Sequence, residues 1–328
     1  MESQSLTIAG LHRENSLTNT TKNICQYLGI RFALGALSII PLALRRKTIR
    51  RTLRFVAGFL KKHRNIAHRN LALALPESTT QEKDELFIES FCAMGDLVLD
   101  LERFPKLTQE WADSHIGGPG LDKLRAIKEQ DPTKGILLVT GHLGSFELSA
   151  YSMPFLYRPI SFLVRTFTNP YLDNWWNMLR SGNGNQVVSR EGGYREMLQL
   201  LKEGRDVGVL FDQNVTKNHA LFTDWFGKPA ATTNALALAA LRTEAPIFVV
   251  ALILTGADDY FYECIECDCS DIYTDEKLSK NEKLHLITER LVRKWEELIL
   301  KYPESWFWIH RRWKTRPDGE IEDFYAGC

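Results

Sequence analysis

Residues 16–76 contain neither aspartate nor glutamate, and the same stretch holds twelve lysines and arginines. The chain as a whole is neutral, so the remainder carries a net charge of minus twelve. An asymmetry of this size points the N-terminal part at an anionic partner, either nucleic acid or membrane. A disulfide framework is also missing. Six cysteines in 328 residues show no framework spacing, and a reducing, cytosol-facing site is the default. Cys264, Cys267 and Cys269 lie close together, but a structural zinc site wants four closely placed ligands, usually as two such pairs. The alternation of Tyr260, Tyr262 and Cys264 against Phe261, Glu263 and Ile265 reads instead as an ordinary strand. No internal repeat or low-complexity tract is present. With 44% apolar and 25% charged residues, a sizeable core is possible and general disorder is excluded.

Crossing a bilayer core takes about 20 apolar residues, and no clean run of that length occurs. Residues 24–44 come nearest, interrupted by Gln26 and Arg31. Arg45, Arg46 and Lys47 follow, the flank expected on a cytoplasmic side. From Ile49, apolar residues recur at Leu53, Val56 and Leu60 among basic ones, as on a helix lying on anionic headgroups. Two readings stand. One is a membrane anchor followed by a basic amphipathic helix; the other is a buried hairpin of core helices with a solvated basic face. The apolar neighbours favour membrane over nucleic acid as the partner. A cleaved signal peptide does not fit, because 23 polar residues precede the run and no small-residue cleavage site follows it. The chain therefore divides into a polar tail (1–23), a membrane-anchor and basic region (24–75) and a catalytic domain (76–328).

From Gly135 onward, short apolar runs at 135–140, 161–165, 186–189, 207–211 and 246–254 alternate with helical patterns at 147–155, 171–180, 194–202 and 232–241. A long helix is expected over 282–302. This alternation predicts an α/β fold with a mostly parallel sheet flanked by helices. In such open sheets the chemistry gathers beyond the C-terminal strand ends. His142, Arg165, Arg190 and Asp212 follow four of these strands.

The strongest local signal is Thr140-Gly141-His142-Leu143-Gly144-Ser145-Phe146-Glu147. A strand ends, glycine permits a tight turn, and a histidine sits at the strand-to-helix junction. If the Glu147 carboxylate folds back onto one ring nitrogen, it fixes the tautomer and leaves the other nitrogen free to take a proton from a hydroxyl. Ser145 is the one nearby nucleophile and is not convincingly placed for activation, so direct attack by the acceptor is favoured over an acyl-enzyme. Taken alone, the His-x4-Glu pair also fits a helix-capping histidine with a solvated glutamate. Arg180 fits a helix-terminal arginine, and Asp212 a loop cap. The stretch 306–314, with three tryptophans, reads as an interfacial face.

The motif, Asn169-Pro170, Leu179-Arg180-Ser181, His68-Arg69-Asn70-Leu71 with Pro76-Glu77, and the ending Pro303-Glu304-Ser305-Trp306-Phe307-Trp308-Ile309-His310-Arg311-Arg312-Trp313-Lys314 resemble the bacterial lipid A late acyltransferase family. That family also includes phosphatidylinositol mannoside acyltransferases. The similarity spans 24–314. It implies a glycerolipid acyltransferase-like α/β core with an N-terminal membrane helix, at the cytoplasmic face of the inner membrane. The implied reaction carries a fatty acyl chain from acyl carrier protein, or coenzyme A, to a hydroxyl of a lipid A precursor, without metal or organic cofactor. By position, His142 and Glu147 match the family's base and orienting acid. Arg180 matches an arginine that binds phosphate or steadies the site, and Asp212 an acidic residue at a later strand end. Arg165 is a second candidate for phosphate, and Lys228, in the turn Phe226-Gly227-Lys228-Pro229-Ala230, for the phosphate of the carrier's pantetheine arm. A different acceptor, such as a glycolipid or aminolipid, would use the same residues. A non-catalytic membrane scaffold would not need the intact His142 and Glu147 pair.

Overall fold

Five short apolar runs form five parallel neighbours in a single sheet. They are β2 (Leu137–Thr140), β3 (Ser161–Val164), β4 (Gln186–Ser189), β5 (Val207–Leu210) and β8 (Ile247–Leu254). With β1 (Ile116–Gly117) and β9 (Tyr260–Glu266) the order is β1-β9-β8-β2-β5-β3-β4, and only the β8–β9 pairing is antiparallel. The computed structural model describes residues 2–119, 121–320 and 323–328. Cys264 lies on β9, the strand its alternation predicts.

Strand periodicity sorts the core into two layers. Leu137 and Val139 pack with Trp295 and Leu298 of α12 (Lys280–Lys301), whereas Ile136 and Leu138 pack with Leu148 of α7 (Phe146–Leu156) and Leu179 of α8 (Pro170–Ser181). Both faces are thus covered by helices, as a parallel sheet requires. The helix α9 (Gly193–Lys202) follows β4, and α10 (Ala235–Thr243) precedes β8. A hairpin of β6 (Ala220–Trp225) and β7 (Lys228–Thr233), not expected from the sequence, stands outside the main sheet. Its turn is Phe226-Gly227, both at positive φ.

The N-terminal region departs from expectation. Helix α1 (Glu2–Ser38) stops, and Pro41 starts α2 (Leu42–Ala57), so the apolar run 24–44 is cut in two. Among the described residues no helix is long and apolar enough to cross a membrane, and the expected anchor helix is not found. The basic face is not simply solvated either. Helix α4 (Thr80–Arg103) supplies the acids that 16–76 lacks. Arg45 bonds Glu102 at 2.8 Å, Arg46 bonds Asp100 at 2.6 Å, Arg50 pairs with Asp96 and Glu89, and Arg54 with Glu89. On α3 (Lys61–Ala74), Arg64 pairs with Asp84, while Ile66, Ala67 and Leu71 enter the core. Neither sequence reading describes the region whole: α3 packs into the core, whereas Leu44, Phe55 and Val56 of α2 stay exposed and its arginines meet the acids of α4.

Arg46 is fully buried against Asp96, Asp100 and the Tyr260 hydroxyl. Removing one partner of a buried pair strands the other charge, at a cost of about 3–5 kcal/mol. Arg46→Met should lower stability by that amount in denaturant unfolding. An unchanged midpoint would show that α2 is not held by this lattice.

Candidate active site

The site is built around a carboxylate. Asp212, just beyond β5, is buried, and Oδ1 lies 2.8 Å from Nδ1 of His142. Its Oδ2 accepts from the His142 backbone N–H at 2.7 Å and from the Trp306 indole N–H at 2.8 Å. Such close approach requires Gly141: a Cβ there would stand 2.5 Å from the Asp212 carboxyl carbon and 2.5 Å from the Trp295 ring. Gly144, at φ +61°, turns the loop back so that its N–H reaches the Ser305 carbonyl at 3.0 Å. The His142 carbonyl accepts from Phe307 N–H at 3.0 Å. Strand ends and the C-terminal segment thus clamp one loop from both sides.

The electrostatics follow. Burial works against charge on the His142 imidazole, but the Asp212 carboxylate outweighs it, with a smaller push from Glu147, and the pKa is raised above 6.5. Burial alone would raise the Asp212 pKa, yet His142 and the Trp306 indole hold it at about 2. With Nδ1–H donated to Asp212, Nε2 carries the lone pair, and the Gln213 amide nitrogen lies 3.0 Å from it. His310 is the electrical opposite: burial brings its pKa down to about 4, and its neutral Nε2 accepts the Asn214 N–H at 2.9 Å.

His142 opens onto a cleft of about 1000 Å³ above the strand ends. Its walls include Met94, Val98, Phe146, Glu147, Arg165, Arg180 and Arg190. Glu147 does not orient the histidine, contrary to the sequence reading. It is buried and bonded to Arg180, whose Nε lies 2.9 Å from Oε2 and whose Nη2 meets Oε1, and to the Trp176 indole at 3.3 Å. The reason is geometric: α7 carries Glu147 toward α8, leaving Nδ1 to the neighbouring strand end. Arg180 is in turn occupied by Glu147 and Asn177, which fits a steadying role and leaves its fork unavailable to phosphate. Lys228 is not among the residues lining the cleft; its Nζ lies 5.1 Å from the centre of the Phe324 ring.

The sequence reading missed Trp306, Gln213 and Asn214. It also placed the tryptophans of 306–314 at an interface, whereas Trp306, Trp308 and Trp313 are 2%, 0% and 0% exposed. Each indole N–H finds an acceptor: Asp212, the Pro303 carbonyl and the Lys228 carbonyl. A buried indole usually finds such a partner.

Comparison with known proteins identifies the family. The model of the bacterial lipid A biosynthesis acyltransferase family matches residues 12–315. The chain belongs to this family. Among its relatives, the lipid A biosynthesis palmitoleoyltransferase of Escherichia coli K12 is 26% identical over 267 residues, covering 80% of this chain and 82% of the relative. The lauroyltransferase of the same organism is 26% identical over 270 residues, with the same coverage. Its myristoyltransferase is 22% identical over 298 residues, 91% of this chain and 89% of the relative. The protein is an acyltransferase of lipid A biosynthesis.

With His142 as the base, the raised imidazole pKa makes kcat/KM rise with pH through that value. Asp212→Asn removes the group that raises it and leaves the opposing effect of burial. The ascending limb should move to lower pH while the plateau falls by about 10⁴, the scale seen when a catalytic histidine loses its orienting carboxylate. A pH–rate profile superimposing on wild type would rule out this role.

Proposed function

We propose that this acyltransferase moves a fatty acyl chain from a thioester, on acyl carrier protein or coenzyme A, to a hydroxyl of a lipid A precursor, acting at the cytoplasmic face of the inner membrane. The observation that carries the chemistry is the His142 ring, with Nδ1 on Asp212 and Nε2 turned to the cleft. The acceptor hydroxyl replaces the Gln213 amide at Nε2 and gives its proton to that nitrogen as its oxygen attacks the thioester carbonyl. The tetrahedral intermediate collapses, the C–S bond breaks, and the imidazolium returns the proton to the leaving thiolate. Asp212 stabilises the imidazolium between these steps. Glu147 and Arg180, locked together, form a rigid wall beside the reacting atoms. The names of the relatives, which transfer palmitoleoyl, lauroyl and myristoyl groups in lipid A biosynthesis, support this substrate class.

Attachment to the membrane is interfacial in this reading. Phe32, Ile39, Phe55 and Phe59 of the N-terminal region are 71–85% exposed, an unusual cost in water unless covered. Met94, Val98 and Phe167 are both exposed and part of the cleft wall, giving an acyl chain an apolar route from lipid to His142. Lys47 and Arg51, without ion-pair partners among the described residues, add attraction to anionic headgroups.

His142→Ala should reduce transfer by about 10²–10⁴ with an unchanged unfolding midpoint, measured by mass spectrometry of the acylated precursor. Near-native turnover would end the general-base mechanism. For the membrane contact, Phe55→Ser with Phe59→Ser should release the protein from anionic vesicles in flotation, since each buried phenylalanine contributes about 1.5–3 kcal/mol. Equal flotation of variant and wild type would mean that this face does not bind lipid.

A further inference from the structure

Arg165 and Arg190 follow β3 and β4, which run parallel with Val164 opposite Ser189. The Arg190 N–H donates to the Val164 carbonyl at 2.8 Å, continuing the ladder past the strand ends. The two arginines therefore stand on adjacent strand ends, roughly 5 Å apart along the sheet, and both line the cleft that holds His142. Neither guanidinium has a hydrogen-bond or ion-pair partner among the described residues. Nearby carboxylates are not recruited. Glu191 adjoins Arg190 in sequence without pairing with it, and Asp173 accepts from the Phe167 N–H at 2.8 Å and from Asn177 at 3.1 Å. Arg180, the third arginine of the cleft, is satisfied by Glu147. Two like charges side by side, with no acid between them, repel one another and contribute nothing to the fold.

We propose that Arg165 and Arg190 form a phosphate-ester site that fixes the substrate's position in the cleft. This rests on the acyl-transfer reading for the identity of the substrate, though not for the site itself. A guanidinium offers two parallel N–H donors that match phosphate oxygens, and two neighbouring forks can grip one phosphate from two sides. The N-terminus of α9, begun by Gly192 without a side-chain cap, starts just past Arg190 and adds positive potential. Strand order places this site two and three strands from His142, roughly 10–15 Å away by strand spacing. The ligand is thus a substrate with a phosphate ester at about that distance from its reacting atom. A headgroup phosphate on the acceptor meets this description, as does the phosphodiester of the donor's pantetheine arm.

The test uses the full chain and the double variant Arg165→Gln/Arg190→Gln, with Arg195→Gln as an exposed charge control outside the cleft wall. Initial rates are compared for a phosphorylated acceptor and its dephosphorylated form, and for a pantetheine-phosphate donor and an acyl thioester of N-acetylcysteamine, which has no phosphate. Loss of hydrogen bonds to a charged group should raise KM for the phosphate-bearing substrate by about 10- to 100-fold. A rise confined to the phosphorylated acceptor assigns the site to the headgroup; a rise confined to the phosphate-bearing donor assigns it to the pantetheine arm. Unchanged KM for both, or the same loss in the Arg195 control, overturns the proposal. Independently, inorganic phosphate titrated into the wild type should broaden its ³¹P resonance, and the double variant should abolish the effect. Equal broadening in both proteins would also overturn it. Because this readout needs no turnover, it stands even if no acyl transfer is found.

Discussion

A buried carboxylate at the end of β5 holds the candidate site together. Asp212 accepts from the His142 ring, the His142 backbone and the Trp306 indole at 2.7–2.8 Å, and these donors replace the water that its charge has lost. Several other features exist because of it. Gly141 lacks a side chain so that the carboxylate can approach. The C-terminal segment folds over the sheet and inserts Trp306. The neighbouring Asn214 is bonded both to His310 and to Thr315, which fixes the loop that follows the acid. The histidine gains a defined tautomer and a raised pKa from one interaction.

Around that centre the charges are segregated into pairs that do not compete. Glu147 and Arg180 neutralise each other within the cleft wall, so Glu147 reaches His142 only as a distant field. On the far side, α4 collects the arginines of α2 through Glu89, Asp96, Asp100 and Glu102. Asp100 also accepts the Ser145 hydroxyl at 2.9 Å. The basic N-terminal region is thereby tied to Ser145, which precedes α7, and through it to the His142 loop. Part of the charge asymmetry along the sequence is thus an intramolecular complementarity, with Arg45, Arg46, Arg50 and Arg54 of α2 and Arg64 of α3 paired to acids of α4.

Local pattern made much of the scaffold legible. The five parallel strands and helices α7, α8, α9, α10 and α12 lie where apolar runs and helical spacing put them, because burial on both faces and helix amphipathicity both write themselves into neighbouring residues. The turn at Phe226-Gly227 was legible, but the strands on either side of it, β6 and β7, were not, because their pairing carries no clear alternation of apolar residues.

By itself the sequence determined the five apolar strands, the helices between them and the position of His142 at a strand-to-helix junction, since each depends on residues within a few positions of one another. Only the tertiary structure decided which carboxylate serves the histidine. Glu147 is five residues away in sequence but turned toward Arg180, whereas Asp212, seventy residues on, arrives through the pairing of β2 with β5. It likewise decided that the aromatic tail is core and that the N-terminal arginines meet internal acids. Partner choice of this kind depends on strand order and helix packing, and residues far apart in sequence carry no local mark of the partner the fold will bring to them.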